Sequence, residues 1–583
     1  MSISNSASRF APAFLFALAA LSACAGAPST PVATESSLAA QPEPASAPHA
    51  QVVQRMLELG KSDSRVQEHL HHLCFDIGPR LTGSTNLQRA VEWTRDEFAK
   101  LGLAARLEPW GEFAVGFDRG PWKARMVAPL EQELVINTSA WSPGTDGPKR
   151  GRAIAAPTTE AELEALTGKL AGVWLVRAPS GATGPSAKVA RLLGEAAAKE
   201  GALGEIRGSR GDLLLTGGNE SITWDKLPTK VSIAMRVDHH KDLWERLAKD
   251  EPVELEIDID NRFVKGPITQ YNVVADLVGA TKPDEVVIVC GHLDSWDGAQ
   301  GAVDNGTGCA TTLEAARLLV RSGARPERTI RFILWSGEEQ GLFGSNGYVK
   351  LHADELPKIS ALFNHDGGTN YLAGLNGTIE MEAQLREACA PLFGLNAELP
   401  FAIKATDGLQ ARPDSDHWPF AKAGVPAFFW VQEGRSDYDH MHHTQYDTFD
   451  TAIPEYQQHS ALVAALTAFG VANLPAQLDR TNISAPSPRR MGVNLTENKL
   501  RSVSDKSLAK DAGLAVGDVI TAVDGVETKT SNAVTDELQK GGPKKVFSVT
   551  RGEERLEFVL DYSTDPEEAA RAQRRAMRAA QQH

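Results

Sequence analysis

Helical periodicity begins at about Val52, where Val53, Met56 and Leu57 share one face. A turn follows at Ile77-Gly78-Pro79-Arg80, and the spacing after it predicts a helix that stops near Gly102. Between about 111 and 262 the texture changes. Short β-type runs such as Gly172-Val173-Trp174-Leu175-Val176 and Val231-Ser232-Ile233-Ala234-Met235 alternate with Gly- and Pro-containing loops. From 270 to 475 the pattern becomes strand–helix–strand–helix. Val286-Val287-Ile288-Val289-Cys290 and Thr329-Ile330-Arg331-Phe332-Ile333-Leu334-Trp335 are continuous apolar runs, as expected of strands covered on both faces. Ser360-Ala361-Leu362-Phe363 and Ala427-Phe428-Phe429-Trp430-Val431 are further candidates. The predicted fold is α/β, a mixed sheet with helices on both faces, interrupted by a β-rich insertion.

At 583 residues the chain exceeds what one core supports and predicts three or four domains. The central domain is expected to be discontinuous, over 51–110 and 263–475, with the insertion at 111–262. Residues 485–563 form a separate unit in which Ala512-Gly513-Leu514-Ala515-Val516-Gly517-Asp518-Val519-Ile520 resembles a PDZ domain, with Met491-Gly492-Val493 as the candidate carboxylate-binding loop. The last stretch, 564–583, opens with Asp565-Pro566-Glu567-Glu568 and predicts a polar helical tail.

The amino-terminal segment is expected to lie outside the fold. Arg9 precedes the apolar run Ala13-Phe14-Leu15-Phe16-Ala17-Leu18-Ala19-Ala20-Leu21, too short to span a bilayer but suited to a signal peptide over residues 1–23. Leu21-Ser22-Ala23-Cys24 resembles a bacterial lipobox, with Cys24 as the lipidated residue. Residues 24–50, rich in Ala, Pro, Ser and Thr, predict a flexible tether. The expected location is the periplasm or outer membrane of a bacterium, by lipid anchor only, or otherwise secretion. The other cysteines, Cys74, Cys290, Cys309 and Cys389, show no metal-site spacing and read as buried thiols. A net charge of −15 with no basic stripe argues against a nucleic-acid partner.

The chemistry concentrates where predicted strands end. His292 and Asp294 follow the strand ending at Cys290, Glu338 and Glu339 the strand ending at Trp335, and Asp366 the strand ending near Phe363. His443 lies in a loop after 427–431, and Asp304 opens a helix near Gly306. Open α/β sheets bind ligands outside the carboxyl ends of their strands, so these groups gather along one edge. Imidazole and carboxylate suit zinc, and two ions fit this donor set if one carboxylate bridges them. His239-His240, inside the insertion, reads as a surface pair instead.

The motifs then resemble a known family. Gly291-His292-Leu293-Asp294-Ser295-Trp296-Asp297 with Gln300-Gly301-Ala302-Val303-Asp304-Asn305-Gly306 is similar to the metal segment of the carboxypeptidase Q group. That group belongs to the co-catalytic zinc exopeptidases, with aminopeptidase Y and glutamate carboxypeptidase. Trp335-Ser336-Gly337-Glu338-Glu339, Ser415-Asp416-His417, His443-Thr444-Gln445-Tyr446-Asp447 and Ile77-Gly78-Pro79-Arg80 match further family segments. The resemblance implies that His292, Asp304 and Asp366 hold one Zn2+ and that Asp304, Glu339 and His443 hold another, with Asp304 as the bridge. It further implies Glu338 as general base and Asp294 as the group orienting His292. The insertion occupies the place of the family's protease-associated domain.

The implied activity is hydrolysis of dipeptides or short peptides with unblocked termini. A general aminopeptidase acting on longer peptides is the alternative within enzymes. A glutaminyl cyclase shares the fold, but the full two-metal donor set and the insertion disfavour it. The alternative of another class is an inactive binding protein on the same scaffold, as in the transferrin receptor. A free carboxyl terminus of a peptide is the ligand expected at the PDZ-like unit.

Overall fold

The computed structural model describes residues 47–181, 184–409, 413–483 and 489–565. The signal peptide, the lipobox, nearly all of the tether and the tail beyond 565 lie outside the described residues. Helix α1 (Ala47–Ser62) opens a few residues ahead of the apolar face that predicted it. Helix α2 (Thr85–Lys100) starts where the Ser84 hydroxyl accepts the Leu87 N–H, and Gly102 at φ +83° turns the chain out of it.

Two long strands follow, β1 (Ala104–Ala128) and β2 (Glu254–Leu277). They pair antiparallel from Ala104 opposite Asp276 to Ala128 opposite Glu254, so the chain leaves and re-enters the central domain along one ribbon. β3 (Lys282–His292), α3 (Thr307–Ser322), β4 (Arg328–Trp335), β5 (Ile359–Asn364), β6 (Ala427–Phe429) and α4 (Pro454–Ala472) complete the central layers. The strand order is β6-β5-β3-β4-β2. β3 to β6 run parallel and β2 joins antiparallel through Ile330 opposite Leu277, giving the mixed sheet that was expected.

The period of two along β3 sorts its side chains. Val287 and Val289 pack with Phe332, Phe363, α3 and α4 on one face. Val286, Ile288 and Cys290 pack with Trp335, Tyr348 and Phe420 on the other. Helices therefore cover both faces, and Cys74, Cys290, Cys309 and Cys389 are buried and free. The run expected as a single strand at 427–431 breaks at Trp430: Ala427–Phe429 belongs to the main sheet, while Val431–Glu433 joins a small sheet with Tyr371–Thr378.

At the far end of the ribbon β2 pairs with Lys149–Ala155, and Val173–Val176, Gly204–Gly208 and Ser232–Met235 continue in parallel. Helices Ala187–Glu200 and Val237–Leu247 are interleaved with these strands, so the insertion is α/β in detail. His240 is a correction to the surface-pair reading. It is buried against Gly208, where a Cβ would stand 2.8 Å from the His240 Nδ1, and burial lowers its pKa. Residues 489–565 form an antiparallel sheet in the order Val493–Thr496, Lys499–Val503, Val519–Val523, Lys544–Arg551, Glu554–Asp561, with a core around Leu500, Ile520, Val534 and Phe547. Among the described residues no helix is long and apolar enough to cross a membrane.

Gly470 lies inside α4, where glycine weakens a helix by roughly 1 kcal/mol relative to alanine. Its place is set by packing, since a Cβ would collide with the Ala388 carbonyl oxygen. Gly470→Ala is therefore expected to destabilise the fold by about 1–3 kcal/mol despite the better helix former, read as a lowered thermal midpoint. A midpoint equal to or above that of the parent protein overturns this account.

Candidate metal centre

The carboxyl ends of β3, β4 and β5 deliver most of the site. β3 extends two residues further than the sequence suggested, so His292 is its last residue and is fixed by the sheet. Leu293 continues by donating its N–H to the Trp335 carbonyl at the end of β4. The Asp304 segment lies between Gly301, at φ +64°, and α3, and its peptide to Asn305 is cis. Glu338 and Glu339 occupy a turn after β4 that is opened by Gly337 at φ +75°, where a Cβ would crowd Trp110.

Arg80 holds the loop between these elements. Its guanidinium is fully buried and donates to the Leu293 carbonyl at 2.7 Å, Gly301 at 2.6 Å and Gln300 at 3.2 Å. Its backbone N–H donates to Ser295 Oγ. A permanent cation bound to carbonyl oxygens ties the start of the Asp304 segment to the turn before α2.

The predicted ligands converge in two groups that share Asp304. His292 Nε2 lies 3.0 Å from Asp366 Oδ1 and 3.1 Å from Asp304 Oδ1. His443 Nε2 lies 2.9 Å from Glu339 Oε2 and 3.3 Å from Asp304 Oδ2. Glu338 stands slightly apart, with Oε2 4.0 Å from His292 Nε2. Asp294 acts on His292 through its main chain: His292 Nδ1 lies 3.0 Å from the Asp294 carbonyl oxygen and 3.8 Å from the carboxylate. The carboxylate itself accepts the Glu338 and Glu339 N–H groups at 3.3 and 3.2 Å and the Thr82 hydroxyl at 2.9 Å, which fixes the turn bearing both glutamates.

Several contributors carried no assigned role in the sequence. Asp447 Oδ1 accepts the Val303 and Asp304 N–H groups, steadying the segment on which Asp304 sits. The Ser415 hydroxyl donates to Asp366 Oδ2 and in turn accepts from Asn364 Nδ2 at 2.6 Å. Asp416 is fully buried beside them. His442 brings its Nε2 within 3.7 Å of Asp304 Oδ2, and its ring stacks between Tyr438 and His443. Asp304 can thus gather His442 as well as His443, but only His443 also reaches Glu339. The adjacency of two histidines in sequence was the available signal.

Electrostatics reflect too many acids for the cations present. Burial pushes Glu338 well above the usual carboxylate range, raises Glu339 to about 7 and raises Asp416 and Asp447 each to about 8. Burial opposes charge on the imidazoles, yet hydrogen bonds to Asp304 and Glu339 push His443 up to about 10, and Asp366 with Glu338 holds His292 well above its usual value. Burial also opposes ionisation of Asp304, but His292 and His443 hold it low. The donor set fits zinc on the structure's own terms, since imidazole nitrogens of His292 and His443 face the two oxygens of the buried Asp304 carboxylate, and each of these histidines also meets a further carboxylate.

A parallel sheet edge that gathers imidazole and carboxylate donors around one shared aspartate is the frame of a metallopeptidase. Comparison with known proteins agrees. The model of Peptidase family M28 matches residues 272–468, and a PDZ domain model matches 500–551. Carboxypeptidase Q of Bos taurus is 30% identical over 428 residues, 72% of this chain and 88% of that protein. Carboxypeptidase Q of Rattus norvegicus is 28% identical over 444 residues, 74% of this chain and 90% of that protein. A crystal structure of a peptidase M28 precursor from Shewanella amazonensis superposes with a TM-score of 0.53 at 26% identity, covering 74% of this chain and 99% of that one. The chain belongs to Peptidase family M28 and carries a PDZ domain behind the peptidase.

A pH dependence follows for metal-free protein. His443 is raised from 6.5 to about 10 and Glu339 from 4.5 to about 7, so both bind protons more tightly folded than unfolded. Such groups stabilise fully below their unfolded values and lose that contribution as pH rises through the folded ones. The thermal midpoint of chelator-treated protein should therefore fall between pH 6.5 and 10. A midpoint that rises across this window overturns the assignment.

Proposed function

We propose that this chain is a two-zinc exopeptidase that hydrolyses dipeptides or short peptides with unblocked termini. The observation that carries the reading is that Asp304 presents Oδ1 to His292, whose Nε2 also meets Asp366, and Oδ2 to His443, whose Nε2 also meets Glu339. In this reading His292, Asp304 and Asp366 hold one ion and Asp304, Glu339 and His443 the other. Bound zinc supplies an acidified water and a Lewis acid for the scissile carbonyl.

The chain's own groups do the rest. Asp294 orients His292 through its carbonyl, fixing the tautomer that leaves Nε2 facing the carboxylates. Glu338 takes the proton from the attacking water and delivers it to the leaving amine. Burial raises its carboxyl well above the usual carboxylate range. The choice of short substrates rests on the likeness to carboxypeptidase Q. Export with a lipid anchor at Cys24 rests on the amino-terminal residues alone. Capture of a peptide carboxyl terminus at 491–493 rests on the PDZ match and on the turn at Gly492, φ +79°.

The neighbouring glutamates separate the roles. Glu339→Gln replaces an anionic donor with a neutral amide, so one zinc should bind more weakly and some activity return at high zinc. Glu338→Gln should keep both zincs yet slow dipeptide hydrolysis by at least ~10²–10⁴, with no rescue by added zinc. Metal analysis and kinetics on both variants decide. Metal loss from Glu338→Gln with two zincs kept by Glu339→Gln reverses the roles, and unchanged hydrolysis in both misplaces the site.

A further inference from the structure

The insertion touches the metal centre at the loop that carries His443. Thr216 donates its N–H to the His443 carbonyl at 2.8 Å, and Leu215 bridges antiparallel to Thr444. Gln445 closes a two-way clamp: its Oε1 accepts the Leu214 N–H at 2.7 Å and its Nε2 donates to the Asp212 carbonyl at 3.0 Å. The insertion segment is itself fixed, since Asn137 Nδ2 donates to the Leu215 carbonyl from the strand Ile136–Thr138. Thr216 also lies so close over Gly298 that no Cβ fits there. Gly298 belongs to the same loop as Trp296, whose ring stands edge-on to the His443 ring at 6.3 Å. Arg119, on the ribbon, binds Asp297 in that loop and the Thr138 carbonyl in the insertion.

These contacts matter because of the backbone they hold. His443 sits at φ +56°, a left-handed conformation that is strained for a non-glycine residue and persists when its surroundings impose it. The peptidase itself fixes the far side of the loop, where Gln300 donates its N–H to the Asp447 carbonyl and the Thr444 hydroxyl donates to the His440 carbonyl. At His443, Thr444 and Gln445 the bonds from residues 212–216 add a second clamp. We infer that this insertion segment is a positioning element for His443, holding its imidazole where it meets Glu339 and Asp304. The insertion is thereby part of the metal centre without supplying a ligand. The inference rests on His443 being a zinc ligand, as proposed above.

The test uses the full chain with Gln445→Ala and Gln445→Met, the second preserving length while removing both clamp bonds. Bound zinc is titrated against a graded chelator, cobalt(II)-loaded protein is read by its visible spectrum, and the zinc-free proteins are melted. Both variants should hold one ion with parental affinity and the other about tenfold more weakly, with an altered cobalt spectrum and a zinc-free melting point close to that of the parent. Parental affinity for both ions with an unchanged spectrum overturns the inference. Equal loss of both ions together with early melting of the zinc-free protein also overturns it, because Gln445 is then a general support of the fold. A parent chain that binds no zinc instead removes the reading on which the inference rests.

Discussion

The structure is organised around a surplus of buried negative charge. Asp294, Asp304, Asp366, Asp416 and Asp447 are all buried within one loop cluster, and Glu338 and Glu339 lean into it. The imidazoles of His292, His442 and His443 face them, and Arg80, a permanent cation behind the same loops, directs its guanidinium to main-chain carbonyls. Desolvating so many carboxylates without matching charge is unfavourable, and the raised values of Glu338, Glu339, Asp416 and Asp447 express it. Divalent cations bound there would relieve that imbalance. The other features of the centre keep these acids facing one another until such ions bind.

The fold achieves this by making the edge of its stiffest element the floor of the site. His292 ends β3 in register with Trp335 at the end of β4, and Asp366 follows β5, which pairs on the other side of β3. Three neighbouring parallel strands thus set three positions at the spacing of the sheet, before any loop contributes. The groups that arrive on loops need separate fixation. Arg80 anchors the approach to Asp304, Asp447 holds the Asp304 backbone, and the Asp294 carboxylate gathers the two amides of the glutamate turn. Each of these bonds links segments far apart in the chain, so the site forms only with the complete central domain.

How legible this was depends on the kind of interaction. Strands β3 and β4 stood out because burial on both faces leaves an unbroken apolar run, and the acids and imidazoles after them were visible as residue types at strand ends. The small errors came from tertiary context. His292 belongs to β3 because the parallel pairing with β4 continues through it, and Trp430 splits a run that is apolar throughout because the two halves join different sheets. His240 was misplaced to the surface because an imidazole on an amphipathic helix carries no mark of the glycine it packs against. Asp447 and Ser415 were recognisable as members of motifs, but their partners are backbone amides and a distant carboxylate, which spacing along the chain does not encode.

The least legible part is the insertion's hold on the site, and the reason is physical. Its contacts with the His443 loop run largely through main-chain N–H and carbonyl groups, which every residue type but proline provides, so 212–216 could carry many sequences and make the same bonds. Residue chemistry reveals a ligand, since only a few side chains can serve. It reveals almost nothing about a backbone that holds a ligand in place. A two-stranded connection such as β1 and β2 would ordinarily leave the domain beyond it free to swing. Here that domain folds back through Asn137, Thr216 and Arg119 onto both loops that frame the centre. Its freedom is therefore coupled to the geometry of the candidate donors, and motion of the insertion away from Gly298 and Gln445 would loosen His443 before it disturbed His292, whose position is set by the sheet.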